Sequence, residues 1–233
     1  MQFIEKNSLN VRSAIYRLKK EDDELEFILF PMIHVGSKEF YEEVSRRLAE
    51  CDLILAEGVK SPKVSILTLS YRMVKKIRRM DLVTQQDGMK VAGFRDKIIN
   101  ADMEGKAFEA RMSSLPLVLK AQIFFLLPVY VIYLFLFGTR EMIAGHVALE
   151  DLPSADEIVN EDEGFEKLDS LLIDERDKSL ISHIESLYQG NRKDKKLVGI
   201  VYGAAHMRNV TGFLLHKLKY RIVKAEWVTV FDL

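Results

Sequence analysis

Two hydrophobic stretches of the sequence each end in a histidine, and this repeated pattern constrains the fold more than any other feature. Residues 27–34 read Phe-Ile-Leu-Phe-Pro-Met-Ile-His, and residues 198–206 read Val-Gly-Ile-Val-Tyr-Gly-Ala-Ala-His. Apolar runs of this kind, bounded by charged residues, are typical of buried strands. Each is followed by helical spacing, over residues 38–50 and 209–219. Both histidines are therefore expected at the carboxyl end of a strand.

Two further apolar runs end in an acidic residue. Residues 53–56 lead into Glu57, and residues 98–101 lead into Asp102. A strand, a helix and another strand in succession predict a right-handed parallel crossover. The carboxyl ends of parallel strands share one edge of the sheet, which is where open α/β sheets build their sites. The side chains expected at this edge are those of His34, Glu57, Asp102 and His206.

The element order predicts one domain over residues 1–233, of the α+β or α/β class, with a mixed central sheet built from two related βαβ-like halves. Residues 13–18 and 25–33 are expected to open the fold as a β-hairpin, and residues 226–231 to close it as a strand. A helical, strongly apolar insertion over residues 112–150 separates the two halves. A chain of 233 residues is long enough to bury a substantial core.

The centre of this insertion, Ala121–Gly138, reads AQIFFLLPVYVIYLFLFG and carries no charge. As a helix it would be about 27 Å long, close to the hydrocarbon thickness of a bilayer, with a kink at Pro128. A single complete crossing would separate His34 and Glu57 from His206, which excludes it if those residues form one site. Three interpretations stay open: a kinked helix immersed from one side, a helix buried in a homodimer interface, or a true span.

Composition excludes some functions and leaves others open. The formal net charge of −1 gives no global reason to expect nucleic-acid binding. Residues 1–20 lack the apolar core of a signal peptide, which favours a cytoplasmic-side location. Cys51 is the only cysteine, and its apolar surroundings predict a buried, inert thiol. Basic residues over 64–80 indicate either a solvated helix face or a surface for an anionic membrane or partner.

The expected cluster has the chemistry of metal-assisted hydrolysis, which needs imidazoles and carboxylates around one ion and an open position for water. Glu57 is the best candidate for a general base, and Arg176 could stabilise a developing oxyanion. Structural roles compete with these. A strand-terminal histidine often binds backbone, Glu57 could form a salt bridge, Arg176 could be an exposed helix residue, and Gly203 could serve only a tight turn. No compact metal signature such as HExxH is present to decide between them.

The order of these motifs resembles the TraB/PrgY/GumN group, which includes the TIKI-like membrane-associated metallopeptidases and, more distantly, ChaN-like and erythromycin-esterase-like proteins. That group shows a strand ending in GxxH, a strand ending in an acidic residue, an arginine-bearing helix and a second GxxH. Two positions depart from its pattern: Pro31 replaces a glycine and Asp177 an asparagine. The matching segments here are Pro31-Met-Ile-His34, Ala56-Glu57-Gly58, Glu175-Arg176-Asp177 and Gly203-Ala-Ala-His206.

The resemblance implies a divalent ion, with Mn²⁺ or Co²⁺ favoured and Zn²⁺ as a further choice, and peptide-like substrates near a membrane. The first hypothesis is therefore a metal-dependent hydrolase in which Glu57 and Arg176 are catalytic. The second is a catalytically inactive relative that binds or sequesters a peptide signal, and the third is a membrane adaptor. The metal ligands implied by the first hypothesis are His34, Glu57, Asp102 and His206.

Overall fold

The computed structural model describes residues 1–58, 77, 80–150 and 173–233. Within these residues a seven-stranded mixed sheet forms the centre of the fold, and two short strands form a separate ribbon. The strands are β1 (Ile4–Lys6), β2 (Asn10–Lys19), β3 (Glu26–Met32), β4 (Val35–Gly36), β5 (Leu53–Ala56), β6 (Val83–Thr84), β7 (Ile98–Asn100), β8 (Leu197–Gly203) and β9 (Arg221–Asp232).

Helices connect these strands and cover both faces of the sheet. The first begins at Ser37, whose hydroxyl accepts the backbone N–H of Phe40 at 3.2 Å and so caps the helix. The helices are α1 (Lys38–Ala49), α2 (Gln85–Gly88), α3 (Gly105–Ser114), α4 (Leu117–Phe137), α5 (Arg140–Glu150), α6 (Glu175–Asn191) and α7 (Met207–Gly212), with 3₁₀ turns at Val91–Gly93, Arg95–Lys97 and Ala204–His206 and a π-helical turn at Phe213–Lys217.

Four neighbouring strands, in the order β3-β8-β5-β7, are parallel. Their ends meet at one edge of the sheet, which we call the carboxyl edge. Strand β9 pairs antiparallel with β2, and β2 pairs antiparallel with β3, so β9 runs in the same direction as β3. The last residues of β9, ending at Asp232, therefore lie at the carboxyl edge too.

Pro31 lies inside β3, opposite Tyr202 of β8, although a proline cannot donate a ladder hydrogen bond. Its carbonyl oxygen accepts the Ser13 hydroxyl of β2 at 2.7 Å, so its missing N–H would point to the same side. The β2–β3 ladder has already ended at Leu29, and β2 pairs with β1 beyond that point. No ladder bond is lost, and the strand tolerates the proline.

The two faces of the sheet bury two hydrophobic layers, because alternate side chains of each strand point to opposite faces. Helix α1 covers one face and packs Phe40, Val44 and Leu48 onto β3 and β5. Helices α6 and α7 cover the other face and pack against β3, β5 and β8. The buried side chains of that second layer include Leu29, Leu55, Leu180, Ile184, Ile200, Met207, Val210 and Leu214.

The predicted fold class is confirmed: the sheet is mixed, its strands and helices alternate, and the apolar segment is helical. The thiol of Cys51 is buried as predicted, and burial raises its pKa to about 12. The helix expected over 209–219 starts two residues earlier, at Met207, and is π-helical from Phe213 to Lys217. The helix predicted over 64–80 lies almost entirely outside the described residues.

Replacing Gly88 tests the packing around Tyr41, which holds the end of the strand before His34. An added Cβ would lie 2.3 Å from Cδ2 of Tyr41, a buried ring whose hydroxyl donates to the Ile33 carbonyl at 2.8 Å. We expect Gly88→Ala to lower the free energy of unfolding by about 1–3 kcal/mol, since the ring cannot move without losing that bond. Gly190→Ala in α6, where a Cβ meets nothing within 4 Å, is the matched control. Equal denaturation midpoints for the two variants would contradict this packing.

Candidate functional site

The two acidic residues follow directly from the ends of neighbouring parallel strands. Ala56 of β5 pairs with Asn100 of β7, and the backbone N–H of Ala101 donates to the Ala56 carbonyl at 3.2 Å. Glu57 comes one residue after β5 and Asp102 two residues after β7. The parallel register therefore brings both carboxylates to the carboxyl edge, where the sequence predicts them.

Arg176 joins these two carboxylates. It lies in the first turn of α6, and its guanidinium donates from Nε to Asp102 Oδ1 at 3.0 Å and from Nη2 to Asp102 Oδ2 at 2.7 Å. The same Nη2 also donates to Glu57 Oε1. The Arg176 and Glu57 side chains are each 13% exposed, and that of Asp102 is 0% exposed. The interpretation of Arg176 as an exposed helix residue is therefore wrong.

Asp102 is fully engaged by hydrogen-bond donors. Besides the two bonds from Arg176, its Oδ2 accepts the backbone N–H of Gly58 at 2.9 Å and its Oδ1 accepts that of Met103 at 2.8 Å. A carboxylate offers about four acceptor positions, and these four donors fill them. This arrangement fits a residue that positions Arg176 better than it fits a metal ligand.

Glu57 is less fully engaged. Its Oε2 accepts the backbone N–H of Gly203 at 2.7 Å, and its Oε1 accepts the bond from Arg176. Burial alone would raise the pKa of Glu57, but the positive charges of Arg176, His34 and His206, with the hydrogen bond from Arg176, lower that pKa to about 2. Glu57 is therefore an ionised carboxylate at neutral pH, with acceptor positions left over.

His206 is held by a carboxylate of its own. Its Nδ1 lies 2.7 Å from Oδ1 of Asp177, the residue after Arg176, and both side chains are 4% exposed. Asn209 in α7 donates to the other oxygen of Asp177 at 2.5 Å, which fixes the carboxylate. The ring of Tyr202 packs edge-on against the imidazole, with centroids 5.2 Å apart. A histidine held through Nδ1 by a carboxylate presents Nε2, the arrangement common among metal-binding histidines.

His34 follows β3 and is half-buried. Its backbone carbonyl accepts the N–H of Gln85 at 2.9 Å, next to the β4–β6 ribbon, so backbone bonds fix the turn. The imidazole is near enough to Glu57 for its charged form to lower the pKa of that carboxyl. The structure thus places all four residues predicted for the carboxyl edge at that edge.

Gly203 lies next to both Glu57 and His206. A Cβ at position 203 would lie 3.4 Å from both Glu57 Oε2 and His206 Cδ2. The hydroxyl of Tyr202, on the neighbouring residue, is buried and has no hydrogen-bond partner in the described part of the chain. Burial, and then the negative charges of Asp102 and Glu57, raise the pKa of this hydroxyl. An unpaired buried hydroxyl beside a site is the kind of group that a ligand or water satisfies.

The cluster has an excess of negative charge. Among the described residues the cluster holds the carboxylates of Glu57, Asp102 and Asp177 and the guanidinium of Arg176, so their formal charge is −2 when both histidines are neutral. A divalent cation would neutralise that charge, and imidazole with carboxylate is a suitable donor set for it. As they stand, no three His, Cys, Asp or Glu side chains within residues 1–58, 77, 80–150 and 173–233 form a metal-binding group. Ion binding would therefore include a side-chain adjustment of Glu57 or the histidines.

Sequence reasoning missed several groups that complete the site. Asp177 was treated as a departure from a family pattern, whereas here it holds His206. Asn209, three residues after His206, could have been found from its position one helical turn further on. The backbone donors from Gly58 and Gly203 leave no trace in a sequence beyond the glycines themselves.

Comparisons with known proteins do not extend this picture. No family model matches the chain, and neither the curated proteins nor the solved structures include a match to it. The resemblance to the TraB/PrgY/GumN group therefore stays an inference from motifs.

Replacing Arg176 tests whether it holds the two carboxylates. We expect Arg176→Met to lower the free energy of unfolding at neutral pH by about 3–5 kcal/mol, since two buried charges lose their partner. Arg46→Gln is the matched control, because Arg46 pairs with Glu43 and Glu50 on the exposed face of α1 and should contribute little.

The pH dependence of the free energy of unfolding should distinguish the wild type from the Arg176→Met variant. The lowered pKa of Glu57 stabilises the wild type above about pH 4.5, and this contribution is lost as the pH falls toward about 2. Without the arginine the pKa of Glu57 should rise, so the deficit of the Arg176→Met variant should shrink on acidification. Denaturant unfolding at several pH values measures this difference. A deficit that stays constant with pH would contradict the assignment.

Proposed function

We propose that this chain is a metal-dependent hydrolase that acts on peptide-like substrates at a membrane. The observation that carries the proposal is the approach at Gly203 of an ionised Glu57 and a His206 oriented through Asp177. The excess negative charge of the cluster supports a divalent cation at this point.

Glu57, His206 and His34 are the residues we assign to holding the ion. Glu57 keeps unused acceptor positions, and Asp177 leaves Nε2 of His206 for a ligand. Asp102, which the first hypothesis placed among the ligands, is better assigned to positioning Arg176, since its acceptor positions are filled.

The ion and the protein side chains would supply different parts of the hydrolytic chemistry. A bound divalent ion, with Mn²⁺ or Co²⁺ favoured over Zn²⁺, would supply Lewis acidity toward water and an amide carbonyl. Glu57, whose pKa is about 2, is a weak proton acceptor at neutral pH, which supports a ligand role over that of general base. Arg176 fixes the orientation of Glu57, and a role in steadying a developing oxyanion remains part of the proposal.

The membrane part of the proposal is supported by helix α4. Among the described residues it is the one helix long and apolar enough to cross a bilayer. The peptide-like substrate comes from the motif resemblance.

A second candidate function is peptide binding without catalysis. It is favoured by the ion-pair network itself, because Arg176 already neutralises one charge in the cluster and joins Glu57 to Asp102. A network of this kind can be purely structural, since buried carboxylates need partners. Helix α4 also favours the third hypothesis, a membrane adaptor, because it provides a membrane contact without any chemistry.

Metal binding is the first test of the proposed hydrolase. We expect purified protein to bind one Mn²⁺ or Co²⁺ per chain in calorimetric titration, and His34→Ala and His206→Ala each to weaken binding by at least about tenfold. His216→Ala, on the exposed side of the turn after α7, is the matched histidine control and should bind as the parent does. Equal metal affinity in all four proteins would contradict the assignment of His34 and His206 as ligands.

Gly203→Ala provides a sharper variant, since it adds a methyl group beside Glu57 and His206 without removing a ligand. The backbone at Gly203 has φ −50° and ψ 143°, which alanine adopts freely, and its Cβ would only reach contact distance of Glu57 and His206. We expect the variant to keep the stability of the parent and to lose metal affinity and any Mn²⁺-dependent peptide cleavage. Retained cleavage would contradict the site, while parent-level peptide binding with no turnover in any protein would support the second candidate.

A further inference from the structure

Helix α4 presents a large apolar surface outside the hydrophobic layers of the fold. The exposed area of the large apolar side chains on this helix is on the order of 1,000 Å². The largest apolar patch on a typical monomer is smaller, roughly 300–600 Å². The large apolar side chains that are more than two-fifths exposed on this helix are Leu117, Val118, Phe124, Phe125, Leu126, Val129, Ile132, Tyr133, Phe135, Leu136 and Phe137.

This exposed surface wraps around most of the helix. With about 100° of rotation per residue, the exposed side chains between Phe124 and Phe137 cover an arc of roughly 220°. The buried side chains Val131 and Leu134 lie on the remaining side and attach the helix to the protein. The arc contains no charged residue, because none occurs between Lys120 and Arg140.

The width of the arc identifies what covers it. A helix packed against one neighbouring helix buries a stripe of roughly 100°, so a second copy of the chain would leave about half of the arc in water. Lipid surrounds a helix and covers the whole arc at once. The exposed surface of α4 is therefore matched to lipid better than to a protein partner.

Both ends of the segment that contains α4 join the protein at the carboxyl edge. Helix α3 starts three residues after Asp102, which is bound to Arg176 at that edge. After α4, Arg140 donates from Nε to the Met80 carbonyl at 2.6 Å and from Nη1 to the Asp232 carbonyl at 2.9 Å, and Asp232 ends β9 at the same edge. The chain thus leaves and rejoins the protein on one side.

This topology excludes a complete crossing by α4. If α4, about 31 Å long, crossed a bilayer, α3 would have to cross it in the opposite direction. Helix α3 is only about 15 Å long, and it carries Lys106, Glu109 and Arg111. Three charges on a helix half as long as the bilayer core are incompatible with spanning it.

We propose that α4 is a monotopic membrane anchor: it lies in one leaflet of a bilayer, entering and leaving from the side that carries the carboxyl edge. The residues Glu57, Asp102, Arg176 and His206 then face the membrane surface. The proposal stands independently of any hydrolase activity, because it depends only on α3, α4 and their attachment points.

Vesicle flotation of the full chain tests the anchor. We expect the protein to float with vesicles of phosphatidylcholine and a minor fraction of phosphatidylglycerol, and Phe125→Asp with Ile132→Asp to lower the partition coefficient at least about tenfold. Both positions lie in the middle of the exposed arc, 67% and 59% exposed. Val223→Asp is the matched control, since Val223 is 53% exposed and lies near the start of β9, at the end of that strand away from the carboxyl edge. Failure of the parent to float would overturn the proposal.

Cysteine labelling tests the topology. The thiol of Cys51 is buried and its pKa is raised to about 12, so the background reaction is low. Ser114→Cys and Glu141→Cys place exposed thiols just outside the two ends of α4. We expect a membrane-impermeant maleimide to label both from outside sealed vesicles. Labelling of only one end would show a complete crossing and overturn the proposal.

Light scattering distinguishes the second copy from lipid as the occupant. A stable dimer that is dissociated by the Phe125→Asp, Ile132→Asp variant, with unchanged vesicle flotation of that variant, would show that α4 is a dimer interface and overturn the proposal. Flotation that is lost in this variant and kept in Val223→Asp supports it.

Discussion

The pairing of one guanidinium with two buried carboxylates is the interaction on which the rest of the site depends. Glu57 and Asp102 come from neighbouring parallel strands, so the topology that places them together also forces two negative charges into contact. Such charges stay ionised when buried only if a cation and well-directed donors compensate for lost hydration. Arg176 provides the cation, and the backbone N–H groups of Gly58 and Gly203 provide the donors.

The first turn of α6 therefore organises two parts of the site at once. Arg176 reaches the acidic ends of β5 and β7, while the next residue, Asp177, reaches His206 beyond β8. A positive side chain in the first turn of a helix is unfavourable to the helix dipole, which is positive at that end. Its placement is thus explained by the carboxylates and not by helix stability. Hydrophobic contacts of Leu180 and Ile184, further along α6, hold the helix against the sheet and keep this turn in register.

The carboxyl edge was predictable from sequence because it follows from direction alone. Alternating strands and helices imply parallel strands, and parallel strands place Glu57, Asp102 and His206 at one edge whatever their side chains do. The hydrogen-bond partners of these side chains were not predictable in the same way. Arg176 binds Asp102 through two nitrogens, and Asp177 turns toward His206. Both contacts depend on the angle at which α6 meets the sheet, and only tertiary packing sets that angle. From the sequence, Pro31 likewise suggests a disrupted strand. In the structure the β2–β3 ladder has already ended at this point, so no N–H is needed there.

The site and the apolar helix are close neighbours along the chain. Asp102 lies two residues beyond β7 and three residues before α3, so the strand that carries the site leads directly into the segment that carries the exposed apolar surface. The next residue, Met103, donates its N–H to Asp102 and is one of four donors to that carboxylate. Asp102 in turn binds Nε and Nη2 of Arg176, and the same Nη2 binds Glu57. A continuous set of hydrogen bonds therefore runs from the residues just before α3 to Glu57.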